Sequence, residues 1–114
     1  MRNMSFALTT AQFKARTKDV TRRLGWKFLK DGDYVRGVVK CQGLKPGEKI
    51  QPLGVIRILS VRRERLDSIT KDDVRREGFE KLGCKGFIFM FCKHMKVNPN
   101  RIITRIEYCY MEKS

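Results

Sequence analysis

Gly54-Val55-Ile56-Arg57-Ile58-Leu59-Ser60-Val61-Arg62-Arg63-Glu64 is the longest β signal in the chain, and the architecture follows from the signals placed around it. Val55, Ile56, Ile58, Leu59 and Val61 are β-branched or apolar, and Arg57, Arg62 and Arg63 decorate the run. Upstream, Tyr34–Cys41 reads as a second strand, with Tyr34, Val35, Val38 and Val39 favouring extended backbone. Between the two lies Gln42–Leu53, a loop marked by Gly43, Pro46, Gly47 and Pro52. Lys30-Asp31-Gly32-Asp33 is a turn, because Asp-Gly tolerates positive φ. Met4–Leu8 reads as a short first strand, and Thr9 or Thr10 caps a helical turn or two through Gln12, Phe13 and Ala15.

Downstream, Thr70-Lys71-Asp72-Asp73 resembles a capping box with Asp in place of Glu. It should open a helix running to Glu77, which Gly78 stops. A second helix is expected over Gly86–Met95, where Phe87, Met90, Phe91 and His94 recur at helical spacing as a core-facing stripe. His94, the only histidine, is expected at the helix end and not as a catalytic base. Asn98-Pro99-Asn100 turns the chain into a final strand, Ile102–Met111. No regular crossover helices separate the strands. The expected class is therefore α+β: a mostly antiparallel sheet of about five to six strands, curled into a small barrel covered by two or three short helices.

The chain has 114 residues, which predicts one domain spanning 1–114. Lys and Arg number 26 against 12 acids, a net charge of +14. That imbalance opposes compaction and attracts polyanions, so nucleic acid is the expected partner or substrate. No run approaches the roughly 20 apolar residues of a membrane span. The N-terminus lacks the pattern of a signal peptide, so a cytoplasmic location and no membrane partner are expected. A monomer is expected. Cys41, Cys84, Cys92 and Cys109 form no C-x-x-C pair and are expected as reduced thiols. Cys92-Lys93-His94 lacks the wider paired spacing of a structural zinc site, so neither a metal nor any other cofactor is expected.

Function concentrates in Arg16-Thr17-Lys18-Asp19-Val20-Thr21-Arg22-Arg23. In extended backbone, Lys18, Val20 and Arg22 point one way and Asp19, Thr21 and Arg23 the other. Spaced K-x-x-T-x-R, Lys18, Thr21 and Arg23 can ring one pocket suited to a phosphate or a polarised carbonyl. Arg57, Arg62, Arg63 and Arg65 form a separate basic cluster. Trp26, Tyr34 and Phe28 could stack an unpaired base, although core packing is the expectation for Trp26 and Phe28.

Three features together resemble the ASCH domain family, whose fold is similar to the PUA RNA-binding domain. They are Lys18-x-x-Thr21-x-Arg23 after a short helix, Leu29-Lys30-Asp31-Gly32-Asp33-Tyr34-Val35 entering a strand, and a Val55–Val61 strand leading through Leu66-Asp67-Ser68-Ile69-Thr70 into a helix that carries Glu77. The resemblance covers nearly the whole chain and rests on order and spacing. It implies a PUA-like β-barrel with a cleft for RNA or a nucleotide. Some bacterial members are amidohydrolases on N4-acylated cytidine that use a Lys, a Thr and a Glu; here these are Lys18, Thr21 and Glu77. Others are reported as ribonucleases, which keeps a metal-independent ribonuclease and a non-catalytic RNA-binding module as alternatives. Those amidohydrolases carry Gly two residues before the Lys, where this chain has Arg16, a difference that favours a more anionic ligand. The implied catalytic set is Lys18, Thr21 and Glu77; the ligand- or phosphate-binding set is Arg16, Arg22, Arg23, Trp26, Tyr34, Arg57 and Arg63.

Overall fold

The computed structural model describes residues 1–111. Strands are β1 (Arg2–Ser5), β2 (Val20–Arg23), β3 (Tyr34–Val38), β4 (Pro52–Arg65) and β5 (Ile102–Tyr110). Helices are α1 (Thr10–Ala15), α2 (Lys71–Arg76) and α3 (Gly83–Met95), with 3-10 turns at Ala7–Thr9, Leu66–Ser68 and Glu80–Leu82. The five strands form one curled sheet in the order β1-β3-β4-β5-β2, an α+β half-barrel.

The long β signal becomes β4, which pairs antiparallel with β3 on one side and β5 on the other. Leu59 interrupts its register with β5 between Ile58 and Ser60, bending the strand as an irregularity of this kind does. β2 pairs antiparallel with β5. β1 departs from the antiparallel expectation and runs parallel to β3, because α1 and β2 intervene before the chain returns beside it. β1 also ends at Ser5 instead of Leu8. Phe6 turns into the core and Ala7–Thr9 coils directly towards α1. β3 stops at Val38, where its register with β4 shifts. α3 starts at Gly83, three residues before the expected Gly86.

Two apolar cores sit on the two faces of the sheet. Met4, Phe6, Phe13, Val35, Ile56, Ile58, Ile106 and Tyr108 pack in the first. Leu66, Ile69, Val74, Phe87, Phe91 and Ile103 bind α2 and α3 to the sheet in the second. The Thr70 cap forms as expected, its hydroxyl accepting from the Asp73 N–H at 3.1 Å. Phe28 does not join the core: it is 49% exposed, and Trp26 lies only partly buried against the first core.

Gly37 shows how tightly the first core is filled. A Cβ there would lie 2.6 Å from the Phe13 ring. Gly37→Ala is expected to destabilise the fold by about 1–3 kcal/mol through overpacking, read as a lower urea midpoint. A midpoint equal to that of the native chain would overturn this packing argument.

Candidate ligand cleft

The sheet has two free edges, β1 and β2, and a cavity of about 270 Å³ opens beside them. Lys18, Thr21, Arg22, Arg23 and Glu77 line its polar side; Phe79, Phe87 and Phe91 line its apolar side. Ser5, Ala7–Thr9 and the Met90, His94 side of α3 complete the walls. These wall residues carry no local signal, apart from the α3 stripe, because they come from segments far apart in the chain that share one cavity only in the folded protein.

α1 delivers the basic stretch to this edge. Arg16 caps α1 in the left-handed region, at φ 58°. A non-glycine residue in that region is held at a cost of about 1–2 kcal/mol. Glycine at this position would meet the same backbone demand without strain. The Arg16 side chain does not line the cleft; its guanidinium lies 5.3 Å from the centroid of the Tyr110 ring.

Lys18 is buried, and its ammonium has three acceptors: the Val20 carbonyl at 2.8 Å, the Glu77 carbonyl at 3.0 Å and Glu77 Oε1 at 2.6 Å. Burial lowers its pKa from the ordinary lysine value; Glu77 opposes that, while Arg23 and Arg22 add to it. Glu77 reaches Lys18 because it is the C-terminal cap of α2, directly before Gly78 at φ 93°. The Tyr110 hydroxyl donates to the Lys18 carbonyl and pins the backbone.

The alternation expected of the basic stretch places Lys18 and Arg22 on Glu77 together, at Oε1 and Oε2. Thr21 and Arg23 meet on the opposite side of the strand, Arg23 Nε donating to Thr21 Oγ1 at 3.0 Å. Arg23 also lies over the Phe6 ring at 4.8 Å.

Arg22 sits in a buried ionic layer. It donates to Asp73 at 2.6 Å and to Glu77 and Glu64 at 3.4 Å each. Arg105 joins the same layer through Asp73 Oδ2 at 2.7 Å and Oδ1 at 3.0 Å. Burial opposes ionisation of Asp73, but hydrogen bonds from Arg105 and Arg22 prevail and hold its carboxyl well below the usual range. No local sequence signal marked Asp73 and Arg105 as partners; their pairing depends on α2 docking onto β5.

The other expected binding residues lie apart from the cleft. Tyr34 and Arg57 are cross-strand partners between β3 and β4, and both are exposed. Arg63 lies in the same cross-strand row as Arg23, with Thr104 between them, and donates to the Thr104 hydroxyl at 2.6 Å. Trp26 packs beside Phe28, ring centroids 5.4 Å apart. Among the described residues no group of three or more His, Cys, Asp or Glu side chains could hold a metal ion, and no helix is long and apolar enough to cross a membrane.

The fold is similar to that of two solved structures. An ASCH domain from Lactobacillus crispatus JV V101 superposes with a TM-score of 0.61 at 14% identity, over 96% of this chain and 78% of its own. A protein from Enterococcus faecalis V583, of the DUF984 family, gives a TM-score of 0.64 at 14% identity, over 91% of this chain and 70% of its own. No family model matches the sequence, and no curated protein does.

Proposed function

We propose that this chain is an RNA- or nucleotide-binding domain whose cleft takes one unpaired base or a modified nucleoside. The observation that carries the reading is the Lys18–Glu77 pair, 2.6 Å apart and buried, lining the same cavity as the Thr21–Arg23 pair. A buried ion pair contributes little to stability compared with apolar residues of the same volume. Charges kept in a cleft wall are better explained by a ligand. Arg23, which donates to Thr21 and lines the cavity, suits an electron-rich ligand edge, and the phenylalanine wall suits a flat ring. About 270 Å³ is room for a nucleoside, not for a folded nucleic acid.

Hydrolysis of an N4-acylated cytidine is the second reading, favoured by the buried Lys18 and Thr21 lining one cavity. In this reaction Thr21 Oγ would attack the acyl carbon after losing its proton to neutral Lys18. The C–N bond would break as N4 regains a proton, and water would release the acid from Thr21. Burial lowers the Lys18 pKa in the direction a general base requires.

One experiment separates the readings. N4-acetylcytidine is titrated calorimetrically, and the mixture is then assayed for cytidine and acetate. Binding with turnover, reduced about 100-fold or more by Thr21→Ala, supports the hydrolase. Binding without turnover leaves the binding module alone. Absence of binding of both N4-acetylcytidine and cytidine removes the cleft reading.

A further inference from the structure

We propose a second nucleic-acid contact outside the cleft: an aromatic shelf of Phe28 and Tyr34, backed by Trp26, that holds single-stranded RNA continuing beyond the cleft. The inference rests on the RNA-binding reading above and adds a place and a length requirement to it.

Phe28 and Tyr34 are each 49% exposed, and both line one open surface depression together with Arg2. Aromatic rings bury much apolar area and usually face the core, so two half-exposed rings at one depression offer a stacking surface. The Arg2 guanidinium lies 4.3 Å from the Phe28 ring centroid, and its outer plane offers a base a further stacking surface. Arg57 stands beside Tyr34 as its cross-strand neighbour, and Lys27 and Lys30 are exposed nearby in the chain. Asp33 also lines the depression, its carboxylate accepting from the Lys30 backbone N–H at 2.9 Å. Rings for bases and cations for phosphates define an unpaired polyanion as the occupant, and the net charge of +14 agrees with it.

Strand β1 joins the two places. Ser5, at one end, lines the cleft, and Arg2, at the other, lines the shelf. Three residues of strand span about 10 Å, within reach of a short oligonucleotide. A single nucleoside fills the cleft without touching the shelf; a longer strand occupies both.

Trp26 is the only tryptophan and packs on Phe28, so its emission reports on this shelf. The full chain is titrated with uridine monophosphate and with fluorescein-labelled octauridylate, following Trp26 emission and probe anisotropy. Octauridylate is expected to quench Trp26 while the mononucleotide does not. Phe28→Ala with Tyr34→Ala is expected to weaken octauridylate binding about tenfold or more and to leave N4-acetylcytidine binding unchanged. Both rings are half-exposed, so the double variant keeps the core intact. Unchanged Trp26 emission at saturating octauridylate, or native affinity in the double variant, overturns the shelf. Trp26 emission that shifts with protein concentration alone, with a dimer in sedimentation, also overturns it by making a second copy the occupant. Shelf binding of octauridylate without nucleoside binding would refute the cleft reading and leave the shelf standing.

Discussion

Asp73→Asn is expected to lower folding stability by about 3–5 kcal/mol, because it strips the counter-charge from two buried guanidinium groups at once. Asp73 accepts from Arg22 at 2.6 Å and from Arg105 at 2.7 and 3.0 Å, where all three side chains are nearly inaccessible. The amide keeps the shape but leaves two cations facing a neutral group. For a domain of this size the melting temperature should fall by on the order of 15 °C. The same carboxylate shapes the acid limb. Its folded pKa lies below the unfolded value of 3.8, so below about pH 4 the unfolded chain binds more protons than the folded one. Stability is therefore fully present above that value and is lost as pH falls below it. Glu107, lowered by its hydrogen bond from Arg76 against the opposing effect of burial, adds to the same limb. Thermal melts from pH 7 to pH 3 should show a steep acid loss in the native chain and a shallower one in Asp73→Asn. An unchanged melting temperature at pH 7 would show that the ionic layer does not depend on this residue.

Glu77→Met is expected to cost about 3–5 kcal/mol and to abolish nucleoside binding. It leaves the Lys18 ammonium buried against two carbonyls with no carboxylate, and removes one partner of Arg22. Lys18→Met combined with Glu77→Met removes the stranded charge, so the double variant should be more stable than Glu77→Met alone. Recovery stays incomplete, because the Val20 and Glu77 carbonyls lose a donor at about 1–3 kcal/mol each. The double variant should still fail to bind N4-acetylcytidine. Urea melts and calorimetry on the same samples check both halves. A double variant that binds the nucleoside with native affinity would make the pair structural only.

These two variants mark where local reading stops. Thr70 as a cap, Gly78 as a stop and the alternation of Lys18 and Arg22 against Thr21 and Arg23 were legible in the chain. Each depends on backbone geometry within a few residues, which composition and period encode directly. β4 was legible for the same reason: its β-branched run extends from Pro52 to Arg65 with little change from the expected strand. Glu77 as the partner of Lys18 came from resemblance and not from periodicity, since 59 residues separate them.

Other features depended on contacts across the fold. A cation in a dense basic run looks the same in sequence whether it meets phosphate or a buried carboxylate. Arg22 became the centre of an ionic layer only because α2 docks Asp73 and Glu77 onto β2. Phe28 looked like core and lies half-exposed, since hydrophobicity does not say which side of a turn a ring will take. Arg16 looked like part of the pocket, yet the end of α1 turns it onto Tyr110. The parallel pairing of β1 with β3 likewise has no local signature. Element type and the order of motifs are local properties of the chain. Strand pairing and the burial that sets each charge's role are long-range, and they arise only when segments distant in sequence pack together.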